Sequence, residues 1–150
     1  MRDPFRSAED YELFVYSLSE LYTGILSSTL AFVRRGASMA RVAGEVAFPA
    51  GYRLVVRERV LFDRLPLVID QYGYEVWRGV EKLYWYDSQP HPNDPALVPT
   101  HPHHRHAPPD LKHNRQPAPS LSFSRPNLPV LVSEVLGLVA DAGSPERASA

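Results

Sequence analysis

The chain has 150 residues, a formal net charge of −1 and no cysteine. That length suits one domain able to bury its own core, the charge leaves no global basic field to draw in nucleic acid, and the missing cysteine excludes disulfides and thiolate zinc sites. The most apolar stretch, 11–33, carries Glu12, Ser17, Ser19, Glu20, Thr23, Ser27 and Ser28, which is too polar for a membrane span, and no secretory leader pattern stands at the start.

Residues 7–35 are predicted to form a long helix. Ser7 is its N-cap, Glu9 and Asp10 complement the dipole, and Phe14, Leu18, Leu21, Ile25 and Phe32 recur near helical spacing. Gly36 is placed to close it. Four strands follow, at 41–48, 52–62, 68–77 and 81–87. The second alternates strictly: Tyr52, Leu54, Val56, Val60 and Phe62 point one way, and Arg53, Arg57 and Arg59 the other. Turns are expected at Pro49-Ala50-Gly51 and at Arg78-Gly79. Residues 88–126 are rich in proline and histidine and have no clear period. Residues 127–141 predict a short second helix capped by Asn127. The expected architecture is α+β: a four-stranded antiparallel meander with a long N-terminal helix and a short C-terminal helix. One domain over 1–142 is expected, with a flexible tail at 143–150.

One residue breaks the pattern. Glu58 sits between Val56 and Val60 on the apolar face of the second strand. A buried carboxylate needs a partner or a proton. It is either a structural ion pair or a group aimed into a site. On the third strand Tyr72 and Tyr74 share a face, and Gln71, Gly73 and Glu75 share the other.

All six histidines lie between residues 91 and 113, four of them in THPHHRH, 100–106. His101, His103, His104 and His106 suit two chemistries. They can ligate a metal, with His91, Asp87 and Glu58 to complete a shell, although an extended segment turns alternate side chains apart. They can also exchange protons near neutral pH. Cleavage of RNA by its own 2′-hydroxyl needs such groups plus a cation for the phosphate. Arg105, Lys112, Arg115 and Arg125 make 101–125 locally basic against the single acid Asp110. Tyr84, Trp85 and Tyr86 stand just upstream, where rings either fill a core or stack on bases.

These residues carry a resemblance. The stretch YGYEVW…EKLYWYDSQPHPNDPALVPTHPHHRH resembles the TumE-type toxins of prokaryotic toxin–antitoxin operons. That family pattern has a Tyr-x-Tyr strand, then Arg-Tyr-Asp-Asn, Ala-Pro-His and Phe-Pro-His-His-Lys-His. Tyr72 and Tyr74 match the first part, Tyr86 and Asp87 the second, Pro90 and His91 the third, and Pro102, His103, His104 and His106 the fourth. Glu58 falls where the family carries a strand glutamate. Trp85 replaces the pattern's arginine, Ser88 its asparagine, His101 its phenylalanine and Arg105 its lysine.

The missing cysteine fits a cytoplasmic home, and the resemblance implies a growth-inhibiting toxin neutralised by a cognate antitoxin protein, which in such systems often carries a DNA-binding domain. RNA is the substrate expected by analogy, cut by a metal-independent endoribonuclease needing no cofactor and no membrane. His103, His104, His106 and Glu58 are the expected catalytic residues. Arg105, His91, Tyr72, Tyr74, Tyr86 and Asp87 are the expected substrate-binding residues. The alternatives are a non-enzymatic binding protein that docks through its Pro/His segment and a metal-dependent hydrolase.

Overall fold

The structure, a computed structural model, describes residues 3–88, 103–107, 115–118 and 120–143. Among them are three helices, α1 (Ala8–Tyr16), α2 (Leu18–Leu21) and α3 (Leu128–Ala142). The strands are β1 (Ser27–Ser28), β2 (Ala31–Arg34), β3 (Met39–Ala47), β4 (Tyr52–Leu61), β5 (Val68–Arg78), β6 (Glu81–Asp87), β7 (His104–His106) and β8 (Arg115–Pro117). They form one antiparallel sheet. β1 and β2 pair with successive stretches of β3, and the sheet then runs through β4, β5, β6 and β7 to β8. It is therefore seven strands wide and not the four-stranded meander expected. The predicted tail lies outside the described residues from 144 onward.

The long N-terminal helix is also corrected. Ser7 does cap α1, its Oγ accepting from the Asp10 amide. The helix stops at Ser17, whose own amide bonds back to Leu13 and Phe14. After α2 the chain meets Gly24, packed so closely on α3 that a Cβ there would lie 2.2 Å from Leu136 Cδ2. Beyond it the burial period changes from helical to two: Leu30 and Phe32 are buried, and Ala31 and Val33 are less so. Phe32 fitted the helical stripe only by coincidence of spacing.

The sheet has one covered face and one open face. Val42, Leu54, Val56, Val60, Tyr74 and Val76 are fully buried beneath Tyr11, Val15 and Leu18 from the N-terminal helices and Leu128, Leu131, Val132 and Val135 from α3. Each fully buried aliphatic side chain of this kind contributes about 1.5–3 kcal/mol. Two positive-φ glycines, Gly36 at 83° and Gly79 at 59°, turn the chain after β2 and β5. No helix among the described residues is long and apolar enough to cross a membrane.

Candidate functional site

Strand register decides which polar groups meet. Glu58 pairs with Val42 on β3 and Tyr72 on β5, so all three face the helices. Tyr74 and Tyr86 are register partners on that same face. Arg57, Gly73 and Asp87 form one row across β4 to β6, on the other face. The expected site residues are thus divided by the sheet itself.

On the helix side, Glu58 is 3% exposed. Tyr11 and Tyr74 each donate a hydroxyl to its carboxylate at 2.5 Å. Asn127 Nδ2 donates to the Tyr74 hydroxyl at 3.1 Å. Burial pushes the Glu58 carboxyl up to about 7, against the opposing effect of the two tyrosine hydrogen bonds. Burial, followed by the charge of Glu58, raises the Tyr11 and Tyr74 hydroxyls well above their ordinary value. Asn127 does not cap α3 with its side chain. Its Oδ1 instead accepts from the Ser122 amide, and Nδ2 also donates to the Ser122 carbonyl. This network ties α1, β4, β5 and the start of α3 together.

His103 joins the helix side at its edge. Its Nδ1 lies 2.7 Å from the Tyr72 hydroxyl. Its ring stacks parallel to that of Tyr72 and tilts against Phe123. Tyr86 donates to Glu134 of α3 at 2.9 Å. The Arg105 guanidinium lies 4.2 Å from the Tyr84 ring centroid, with a buried Nε that meets no acceptor among the described residues. Arg105, expected at a phosphate, is therefore held among tyrosines on the covered face.

On the open face, His106 is 3% exposed and its Nε2 lies 3.0 Å from Asp87 Oδ2. The His106 ring stacks on Trp85, centroids 4.3 Å apart and planes 13° from parallel. Lys82 Nζ rests 4.3 Å from the centroid of the same Trp85 ring. Asp87, at 23% side-chain exposure, is the accessible member of the acid–imidazole pair. It lies at one end of a groove of about 690 Å³ whose lining includes Arg41, Arg57, Arg59, Asp70, Gly73 and Asp87.

The structure thus brings His103 to Tyr72, Tyr74 to Glu58, and His106 to Asp87, and it separates the first two sets from the third. Position 104 sits opposite Asp87 in the β6–β7 register. His91 lies outside the described residues, as does His101. Among the described residues no three histidine or carboxylate side chains gather as a metal would require. Sequence reading overlooked Arg41, Arg57 and Gly73. Their signals were arginines at outward positions of β3 and β4 and a glycine inside a strand, which marks close approach of another group.

Residues 14–139 match the family described as Toxin TumE, and the chain belongs to that family. No curated protein and no solved structure matches the chain.

Proposed function

We propose that this TumE-family toxin acts in the cytoplasm by cutting RNA, without a metal, on the open face of its sheet. The observation that supports this reading is the Asp87–His106 pair at the end of an arginine-lined groove. Asp87 is the accessible member, and His106, clamped by Trp85, holds and protonates or deprotonates it. In the reaction, one group of the set Asp87, His106 and His104 accepts the 2′-hydroxyl proton. The 2′-oxygen attacks the adjacent phosphorus, and the bond to the 5′-oxygen breaks. A second group donates a proton to that leaving oxygen. The products are a 2′,3′-cyclic phosphate and a 5′-hydroxyl end. A cationic side chain in the groove offsets charge on the phosphate.

In this reading the remaining expected residues hold the scaffold. His103 anchors the histidine segment through Tyr72, and Glu58 and Tyr74 join the sheet to the helices. The partner of such a toxin is a cognate antitoxin protein that carries its own DNA-binding part.

The test is incubation of the purified chain with single-stranded RNA in excess chelator, with end analysis of the products. Cyclic-phosphate ends that vanish in Asp87→Asn and His106→Ala support the reading. Intact RNA, with growth inhibition that survives alanine at His101, His103, His104 and His106 together, would replace it with a docking protein.

A further inference from the structure

We infer that the open face of the sheet carries a phosphate-binding site built on Arg41, Arg57 and Gly73, and that its ligand is the sugar–phosphate backbone of single-stranded RNA. The identity of the ligand rests on the RNA-cleaving role proposed above. The anion site itself rests on geometry alone.

Arg41 stands directly opposite Arg59 in the β3–β4 register. Arg57 lies two residues along β4 from Arg59, on the same face. Like charges placed directly across a ladder destabilise a sheet. Asp70 neutralises Arg59, accepting from its Nε at 2.8 Å and from a second guanidinium nitrogen. Among the described residues no carboxylate pairs with Arg41 or Arg57, and both are exposed. Three guanidinium groups and two acids, Asp70 and Asp87, line the groove on this face, and Asp87 already meets His106, so the face keeps an excess of positive charge that the fold itself does not need. A bound anion is what relieves it.

Gly73 supplies the floor. It lies between Arg57 and Asp87 in the row across β4, β5 and β6. A Cβ there would fall 2.3 Å from an Arg57 guanidinium nitrogen, so the guanidinium passes directly over Gly73. The backbone at Gly73 is not in the left-handed region, so no turn demands glycine. A glycine inside a strand otherwise weakens it. What it provides here is room for Arg57 to extend toward Asp87. Two strand spacings, roughly 10 Å, separate the Arg57 and Asp87 positions, and a stretched arginine spans much of that distance.

The chemistry selects a phosphodiester. A planar guanidinium binds two phosphate oxygens at once. The groove that holds Arg41 and Arg57 ends on the acid that meets His106. Proton-transfer groups beside a bound anion have a use when the anion is a phosphodiester, and none when it is a peptide carboxylate.

The experiment titrates the full chain with a fluorescent 2′-O-methyl oligoribonucleotide, which binds without being cut, across a series of salt concentrations. Arg57→Gln and Arg41→Gln are expected to weaken binding about tenfold each. Each is also expected to lower the salt slope by about 0.7, one phosphate contact on a single strand. Gly73→Ala keeps every charge and displaces only the Arg57 side chain. It is expected to weaken binding several-fold with a melting temperature no lower than wild type, while Arg64→Gln leaves affinity unchanged. Unaltered affinity in Arg41→Gln, Arg57→Gln and Gly73→Ala overturns the site. A polyglutamate of equal charge that competes as well as the oligonucleotide overturns the ligand. These losses in a chain that cuts no RNA uphold the site and remove only the cleavage reaction.

Discussion

Asp87 Oδ2 and His106 Nε2 lie 3.0 Å apart, joining the end of β6 to β7 across the open face of the sheet. Asp87→Asn keeps the shape and removes the charge, and His106→Ala removes the imidazole. Each is expected to lower RNA cleavage about a hundredfold or more, the usual contribution of a positioned acid or base. Single-turnover cleavage of a labelled RNA measures it. Full activity in both variants would sink the assignment.

Trp85 touches His106 and does not line the groove, so its role is to position the imidazole. Trp85→Ala is expected to reduce cleavage up to about tenfold, the worth of a ring contact, and to shift the pH–rate profile. Trp85→Phe, which keeps a stacking ring, is expected to recover most of the rate. A profile identical to wild type in the alanine variant argues against positioning.

Tyr72 and His103 test the other face. Tyr72→Phe removes the 2.7 Å hydrogen bond and is expected to cost about 1 kcal/mol of stability. Cleavage is expected to stay within a few-fold of wild type. A loss as deep as that of His106→Ala would move the chemistry to the helix-covered side.

Glu58 is expected to make stability depend on pH. Its folded value, near 7, lies above the ordinary 4.5. Between those values the folded protein holds a proton that the unfolded chain has released. Stability from this group is therefore greatest below about pH 4.5 and falls as pH rises to about 7, by up to about 3 kcal/mol. Glu58→Gln stays neutral throughout. Urea unfolding at pH 5 and pH 8 should show a larger drop for wild type than for the variant. Parallel drops would rule out a titrating Glu58.

Asn127→Ala leaves the Ser122 amide and carbonyl without their side-chain partner and frees the Tyr74 hydroxyl from one contact. A loss of about 2 kcal/mol is expected from chemical denaturation. Oligonucleotide affinity is expected to be unchanged, because these groups lie under the helices. Weakened binding at full occupancy of the folded state would contradict that separation.

Much of the sheet was legible because period-two alternation survives in β4, where every second residue from Tyr52 to Val60 is buried, all of them apolar except Glu58, and Arg53, Arg57 and Arg59 take positions between them. The turn at Gly79 was legible for a similar reason, since a local backbone requirement selects the residue. The N-terminal segment misled because its apolar residues satisfy a helical stripe as far as Phe32. Only the packing of Gly24 on Leu136 and the pairing of β2 with β3 show where the helix gives way. β7 and β8 were hidden for another reason. Strands of three residues carry too few positions for any period to show, and they exist because β6 offers an edge to β7 and β7 in turn offers one to β8.

From the sequence alone came the family pattern, the histidine segment, the odd carboxylate at Glu58 and the two faces of each long strand. Alternation along a strand says which residues share a side. It does not say which strand lies next or in what register, since those pairings join residues far apart in the chain. That was decided when β7 paired antiparallel with β6, setting His106 opposite Trp85 and Arg105 opposite Tyr86. One step of register would have exchanged them, because every side chain in a strand changes face with each residue.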